Sequence, residues 1–416
     1  MARKENNQRQ TKEKKSLFKK IIRLLLLIVV LLGLDYVRCK IPNEQGETEV
    51  SWIETIIEVV NYDSAENQEN SISQTEESSD VSSENTNVVE AKPEKDDTVA
   101  NTTNFDDSKL EVYFFDVGQA DSILILTDDK AMLVDSGNPG DATVKNKLED
   151  KINLTYELNR LGVDKIDICV GTHSHEDHIG SMYKILQAFE IGDFYANAHT
   201  AEALEKRYYE RLALVLEEKN IHMISPTTLS EKEIIAKINE YNASLAEDEE
   251  KVVYNADDYI RVGDEIEFGD AKVTMLAPNS AEYLDINDTS IVLMVEFEGV
   301  KLLLTGDAGK ESEEEMLKFA SETGFDLDCD ILKVGHHGSR TASTEEFIAA
   351  TKPEYAVVMV GKFTEYGLPD EDVIERLENH GATIYQTIDV GDIKLTIDDG
   401  EYEFDLTYAH QVKEKE

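Results

Sequence analysis

Apolar positions along the 416 residues follow three regimes. The first is a run with no amphipathic face, IIRLLLLIVVLLGLDYV, from Ile21 to Val37, whose only charges are Arg23 and Asp35 near its ends. As a helix it spans roughly 25 Å, slightly less than a hydrocarbon core of about 30 Å. Arg23 and the flanking lysines can snorkel to the interface and extend that reach. Residues 1–20 are rich in Lys and Arg, so residues 21–37 read as a transmembrane anchor, with the basic tail in the cytoplasm and the rest of the chain outside. A signal peptide shares this layout, but the exit DYVRCK offers no small-x-small cleavage site. The uncleaved anchor is the preferred reading; cleavage would make the chain secreted.

The second regime, residues 38–108, reads as an acidic flexible linker. From residue 61 it strings together Ser, Asn, Glu and Thr, as in NYDSAENQENSISQTEESSD. So few large apolar residues cannot offset the entropy of ordering the segment. The third regime opens at Lys109 with short β-rich runs: LEVYFFDV, SILILT, AMLVDSG and KIDICVGTH, with a helical stretch around Lys145–Leu161. A second series reads EIEFG, AKVTMLAP, SIVLMVEF, VKLLLTGD, CDILKVGHH and YAVVMVG, then ATIYQT, DIKLTI and YEFDLTY. Helices are expected there at about Glu311–Phe319, Thr344–Ala350 and Asp370–Asn379. Strands alternating with helices in both halves predict one α/β domain over 109–410, two sheets packed on each other with helices outside. The segment Glu231–Tyr259 reads as a polar insertion.

Charge narrows the choice of partner. The chain carries 87 Asp/Glu against 41 Lys/Arg, a net −46, and residues 110–416 hold 66 against 27. A broadly basic nucleic-acid-coating protein is excluded, because phosphate binding rests on clustered cations. Any nucleic acid must be met at a local site, helped by metal. Cys39, Cys169 and Cys329 are too few and too scattered for a disulfide framework or a cysteine zinc site. Cys169, in the apolar run IDICV, reads as a small core residue.

The strongest chemical signal is THSHEDHIGS, which holds His173, His175, Asp177 and His178 as His-x-His-x-Asp-His after an apolar strand. The C-terminal end of a strand, just before a helix, is where α/β folds place their sites. Imidazole and carboxylate are good ligands for zinc and similar divalent ions. Three other strand ends echo it: Asp135 closes AMLVDSG, Asp307 closes VKLLLTGD, and His336 and His337 follow DILKV. An Asp after a strand is, alone, more often a turn former. Four strand ends each delivering Asp or His argue for one metal centre.

In order, the motifs FFDVGQADSILI, LVDSG, HSHEDH, NDTSIVL, LLTGD, KVGHHGS and YGLP, over about residues 110–408, resemble the metallo-β-lactamase superfamily. Within it they are similar to the hydrolase domain of the ComEC competence-protein family and its stand-alone relatives. The resemblance implies an αββα sandwich with two divalent ions, zinc or manganese, between the sheets. It assigns His173 and His175 to one ion, Asp177 and His178 to the other, and Asp307 as the bridge. One of His336 and His337 would complete the second site, and Asp135 would orient a ligand. Gln119, Asp121, Asn287, Ser290 and Tyr366 fall in the matched motifs, as supports of the ligands or contacts to substrate.

Some positions depart from the pattern. INDTSIV lacks the further metal-binding His that many superfamily members carry before the bridging Asp, which implies that one ion is held less tightly. Ala120 stands where relatives usually have Gly, and Leu368 where they usually have His. A His at 368 is expected to donate to a phosphoryl oxygen and raise phosphodiesterase activity about ten- to a hundredfold; the alternative is that Leu368 packs under the Pro369 turn, where the change would cost stability and add no activity. His199, His222, His380 and His410 read as ordinary surface or element-end residues.

A divalent metal lowers the pKa of bound water toward neutrality and supplies hydroxide, which Asp177 or Asp307 could orient. The expected protein is a membrane-anchored, extracytoplasmic hydrolase of a phosphodiester, such as DNA or a nucleotide. Ester, lactone or amide hydrolysis uses the same hydroxide and is the second reading. A catalytically degenerate binding protein is the third. The sequence points to the membrane, through the N-terminal helix, and to no stable protein partner.

Overall fold

Strand alternation sorts the apolar side chains of residues 109–408 into two faces, and both faces are covered. The computed structural model describes residues 109–127, 130–139, 153–197, 203–245, 251–280, 283–361 and 367–408, all within one compact unit. The anchor and linker of residues 1–108, and also His199, Tyr366 and His410, lie outside them.

Sixteen strands are described: β1 (Lys109–Phe114), β2 (Ile123–Thr127), β3 (Lys130–Val134), β4 (Lys165–Gly171), β5 (Glu190–Ala196), β6 (His222–Pro226), β7 (Tyr259–Ile260), β8 (Glu265–Phe268), β9 (Ala271–Ala277), β10 (Val292–Phe297), β11 (Val300–Leu304), β12 (Ile331–Lys333), β13 (Tyr355–Val358), β14 (Thr383–Gln386), β15 (Ile393–Asp398) and β16 (Glu401–Asp405). Nine form one sheet in the order β16-β15-β1-β2-β3-β4-β5-β6-β7, and seven form the other in the order β14-β13-β12-β11-β10-β9-β8. Each sheet joins an antiparallel block to a parallel one. The parallel blocks are β3 to β7 and β11 to β14.

Parallel neighbours need crossovers, and helices supply them. These are α1 (Leu154–Arg160), α2 (Glu176–Ile179), α3 (Met182–Ala188), α4 (Ala203–Lys219) and α5 (Glu231–Ser244) in the first half. In the second they are α6 (Lys310–Thr323), α7 (Glu345–Thr351) and α8 (Glu371–Asn379), while the short α9 (Thr387–Val390) lies between β14 of one sheet and β15 of the other. Ile123 and Ile125 of β2 pack between the sheets with Val273, Leu293 and Leu302. Their neighbours Leu124 and Leu126 pack outward against Leu158, Met182 and Ile185. On the other sheet Leu303, Leu332 and Val358 pack outward against Met316, Phe347 and Leu377. The layering is αββα, an α/β sandwich. At about 25 cal/mol per Å² of apolar surface, three such cores provide the main stabilising term.

The region read as a polar insertion is a helix over much of its length. Ser230 and Glu233 form a capping box at the start of α5, which buries Ile234, Ile238 and Tyr241. That i, i+4, i+7 stripe is diluted by polar residues of both charges, and the sequence reading passed over it. In the stretch around Lys145–Leu161, the described helix is α1, capped by the Asn153 side chain on Tyr156 N–H. Cys169 is a buried core residue between strand and helix, as expected. Among the described residues no helix is long and apolar enough to cross a membrane.

Candidate metal centre

The first half builds its part of the site on one turn of chain. β4 ends at Gly171, and the next residues run through His173 and His175 into α2. The turn is tight. A Cβ on Gly180 would lie 2.1 Å from the Glu176 carbonyl oxygen and 2.5 Å from Pro139, so only glycine fits there. Asp135 follows β3 and is fully buried. Its carboxylate accepts from Thr172 N–H and from the Thr172 hydroxyl, each at 2.8 Å. It also accepts from His178 Nδ1–H at 2.7 Å. Because a carboxylate only accepts, this bond fixes the tautomer and turns His178 Nε2 inward. His173 Nδ1 lies 3.2 Å from the Thr172 hydroxyl and 3.4 Å from that of Ser290. Its Nε2 faces His175 Nδ1 at 2.9 Å.

The second half delivers its groups from separate strand ends. Asp307 follows β11 and donates its N–H to Ser290 Oγ at 3.1 Å. His336 and His337 form a short helical turn after β12 at φ of 46° and 52°. Left-handed backbone costs a non-glycine residue roughly 1–2 kcal/mol, and such strain concentrates at functional sites. His337 donates Nδ1–H to the Met359 carbonyl at 2.9 Å. Its Nε2 then faces Asp177 Oδ2 at 3.3 Å and Asp307 Oδ2 at 3.6 Å. His336 sits at the rim, with Nδ1 on the Thr341 hydroxyl at 2.7 Å and Nε2 3.8 Å from Asp307 Oδ2. Of the pair, His337 faces the centre more closely.

Two donor sets emerge. Asp177, His178, Asp307 and His337 each offer a ligand atom, all within 4.8 Å of one another, and so do His173, His175 and Asp307. Asp307 belongs to both. The groups fit divalent cations. His178 Nε2 and Asp307 Oδ1 are buried without a hydrogen-bond partner, and they face each other at 3.3 Å. An unsatisfied buried polar atom costs about 1–3 kcal/mol, which a cation between the two atoms would relieve.

The charges agree. Burial disfavours a charged His178, but Asp307, Asp135 and Asp177 outweigh it and push its pKa well above the usual value. Burial would likewise raise Asp307, yet His178 and His337 hold it well below the carboxylate range. Asp177 is depressed against its burial by His178 and the His337 bond. Burial and the neighbouring His178 push His173 far down, into its neutral, ligating form.

Other predicted residues fall close by. Asp121, 1% exposed, lies 3.5 Å from His337 Nδ1. Gln119 is half-buried in the same loop, its carbonyl accepting from Asn138 at 3.4 Å. Asn287, with its Oδ1 unpartnered, lines a cavity of about 580 Å³ together with Asp288, Thr341 and Arg340. Leu368 is buried in the outer core with Val358, Val373 and Leu377, which supports packing as its role. His222 bridges Asp193 and Asp258, at 3.1 Å each, and His380 caps α8 and bonds Glu345. Neither is near the donor sets. Sequence reasoning missed Lys333, which is fully buried beside Asp121 and Asp307. Its signal was a lysine inside DILKV, where strand alternation leaves no exposed face.

The sequence pattern described as Metallo-beta-lactamase superfamily matches residues 115–362. ComE operon protein 3 of Bacillus subtilis is 25% identical over 299 residues, 69% of this chain and 33% of that protein. Competence protein ComA of Neisseria gonorrhoeae is 26% identical over 281 residues, covering 68% and 31%. Recombination protein 2 of Haemophilus influenzae is 24% identical over 285 residues, covering 68% and 28%. The chain thus spans about a third of the length of these relatives. With three strand ends and the His-x-His-x-Asp-His turn converging between two helix-covered sheets, and a pattern match over more than half its length, the chain belongs to the metallo-β-lactamase superfamily.

Proposed function

We propose that this protein is a metal-dependent hydrolase of a phosphodiester, held at the outer face of a membrane by residues 21–37. The observation that carries the reading is Asp307. One carboxylate, 1% exposed, presents Oδ1 to His178 Nε2 at 3.3 Å and Oδ2 to His337 Nε2 at 3.6 Å and His173 Nε2 at 4.0 Å. Asp307 thus reaches members of both donor sets and would serve both ions. His173, His175 and Asp307 would hold one ion, and Asp177, His178, His337 and Asp307 the other. When bound, a divalent pair supplies Lewis acidity, polarising the substrate oxygen and acidifying water.

The chain's own groups do the rest. Asp135 and the Met359 carbonyl hold the tautomers of His178 and His337, so both rings present Nε2 inward. Ser290 ties His173 to the Asp307 backbone and keeps the two halves in register. Asp177, 26% exposed, could orient an attacking water. Thr341, which pairs with His336 Nδ1, also lines the cavity of about 580 Å³. The phosphodiester reading is supported by the shared-carboxylate layout and by relatives that carry the names of competence and recombination proteins.

One observation favours the second reading, an ester, lactone or amide substrate. Asp285, Asp288, Glu311 and Glu314 outnumber Lys310 and Arg340 on the cavity wall, which disfavours a polyanion. Metal analysis of the full chain, with parallel assays on single-stranded DNA, a small phosphodiester and a lactone, tests the choice. Cleavage of the small phosphodiester with bound zinc or manganese supports the proposal. Metal-dependent cleavage of the lactone alone sinks it in favour of the second reading, and bound metal without turnover leaves a degenerate binding protein.

A further inference from the structure

A third knot of ligand-type groups, Asp121, Asp135 and His178, also lies within 4.8 Å, but the chain already serves it with a cation of its own. Lys333 ends β12. Its strand neighbours are committed to apolar cores, Ile331 between the sheets and Leu332 outside. Alternation sends the Lys333 side chain inward, at the end of the sheet where the donor sets lie. There its Nζ donates to the Gly306 carbonyl at 2.8 Å, forms an ion pair with Asp121 Oδ2, and stands 3.8 Å from Asp307 Oδ1. The side chain has no exposed surface. A fully buried ammonium is costly even when paired, and a leucine or methionine would close this strand more cheaply. Its presence calls for a role that a neutral residue could not fill.

We infer that Lys333 is a fixed third cation of the centre, a positioning residue that limits how tightly the divalent ions are held and keeps the filled site positive toward an anionic substrate. The inference rests on the metal-centre reading above. Asp121, Asp135, Asp177 and Asp307 bring four negative charges, which two divalent ions would just balance. Lys333 leaves the balance one unit positive. By pairing with Asp121 it also occupies the third knot, so that knot is no metal site in this chain. Through Gly306 it fixes the residue next to the bridging carboxylate.

The test is divalent-ion affinity, read by competition titration with a chromophoric chelator on the full chain, using manganese and zinc alone. Lys333→Met removes the charge at similar volume, and Lys333→Gln keeps a donor for the Gly306 carbonyl. Either neutral variant should bind the ions about tenfold more tightly or better, because a like charge beside the site is gone. Hydrolysis of a small anionic substrate should slow at saturating metal. A lysine that only filled space would leave ion affinity unchanged in Lys333→Met, which keeps its volume. Equal or weaker binding in a folded neutral variant overturns the inference, with the metal-centre reading left standing. A wild-type chain that takes up no divalent ion overturns both.

Discussion

The two halves of the sandwich reach the same centre by different means. The first concentrates His173, His175, Asp177 and His178 in one turn and braces it locally, through Asp135 and the start of α2. The second spreads Asp307, Lys333 and His337 over two strand ends and braces them from a distance. The Met359 carbonyl holds His337. Glu313 of α6 accepts from Ser343 N–H at 2.5 Å and from Thr344 N–H and hydroxyl at 2.9 and 2.6 Å, pinning the loop after the histidines. Arg376 donates to the Ser343 carbonyl at 2.6 Å. A compact motif survives as a recognisable string. A dispersed one depends on packing, and it supplies the proposed bridge and the buried cation.

The largest effect should come from breaking the bridge. Asp307→Ala is expected to disturb both ions and to reduce hydrolysis to background, whereas His175→Ala should cost only the ion it shares with His173. Metal stoichiometry by mass spectrometry separates them. Loss of a single ion in Asp307→Ala would show that the second half contributes no shared ligand. Next comes the local brace. Asp135→Asn keeps the shape but weakens the hold on His178 Nδ1–H, and metal affinity or rate should fall about ten- to a hundredfold. Unchanged affinity would mean that α2 alone orients His178.

The distant brace is tested by pH. Burial pushes the Glu313 carboxyl up to about 7 from an ordinary 4.5. A raised folded-state pKa means that the folded protein binds the extra proton between those values. The associated stability is therefore fully present below about 4.5 and lost as pH climbs to about 7, roughly 3 kcal/mol in all. Denaturation across that window should show a shallower slope in Glu313→Gln, and an identical slope would remove Glu313 as the source. Leu368→His gives the smallest effect. Placing an imidazole in the outer core should cost about 1–3 kcal/mol without raising turnover. Faster phosphodiester cleavage at equal folded fraction would restore the missing-donor expectation.

The same contrast explains what could be read from the sequence. Strands and motif residues of the first half were legible because alternation and the His-x-His-x-Asp-His spacing are local signals. Which of His336 and His337 faces the centre more closely was not, because the Met359 carbonyl that orients His337 lies 22 positions away. Lys333 was passed over because its partners, Asp121 and Gly306, come from other strands. The helix α5 was obscured by its many polar residues of both charges, although Ser230 and Glu233 announce its start. The burial of Leu368 was not legible either, because a motif comparison aligns positions and says nothing of which way a side chain turns.

The return of β15 to the edge of β1 has a consequence for how the molecule comes to exist. Glu111 and Lys394 form an ion pair across that ladder though 283 positions apart. A ladder closed over so long a loop is a slow, late event in folding. Until it forms, β1 offers an open edge, a template for pairing with another chain. During synthesis the first sheet must wait for almost the whole domain to emerge, and nascent chains are most prone to clump in that interval. A ribosome stall or a nick before residue 393 would leave the half that owns the conspicuous motif sticky and unfinished.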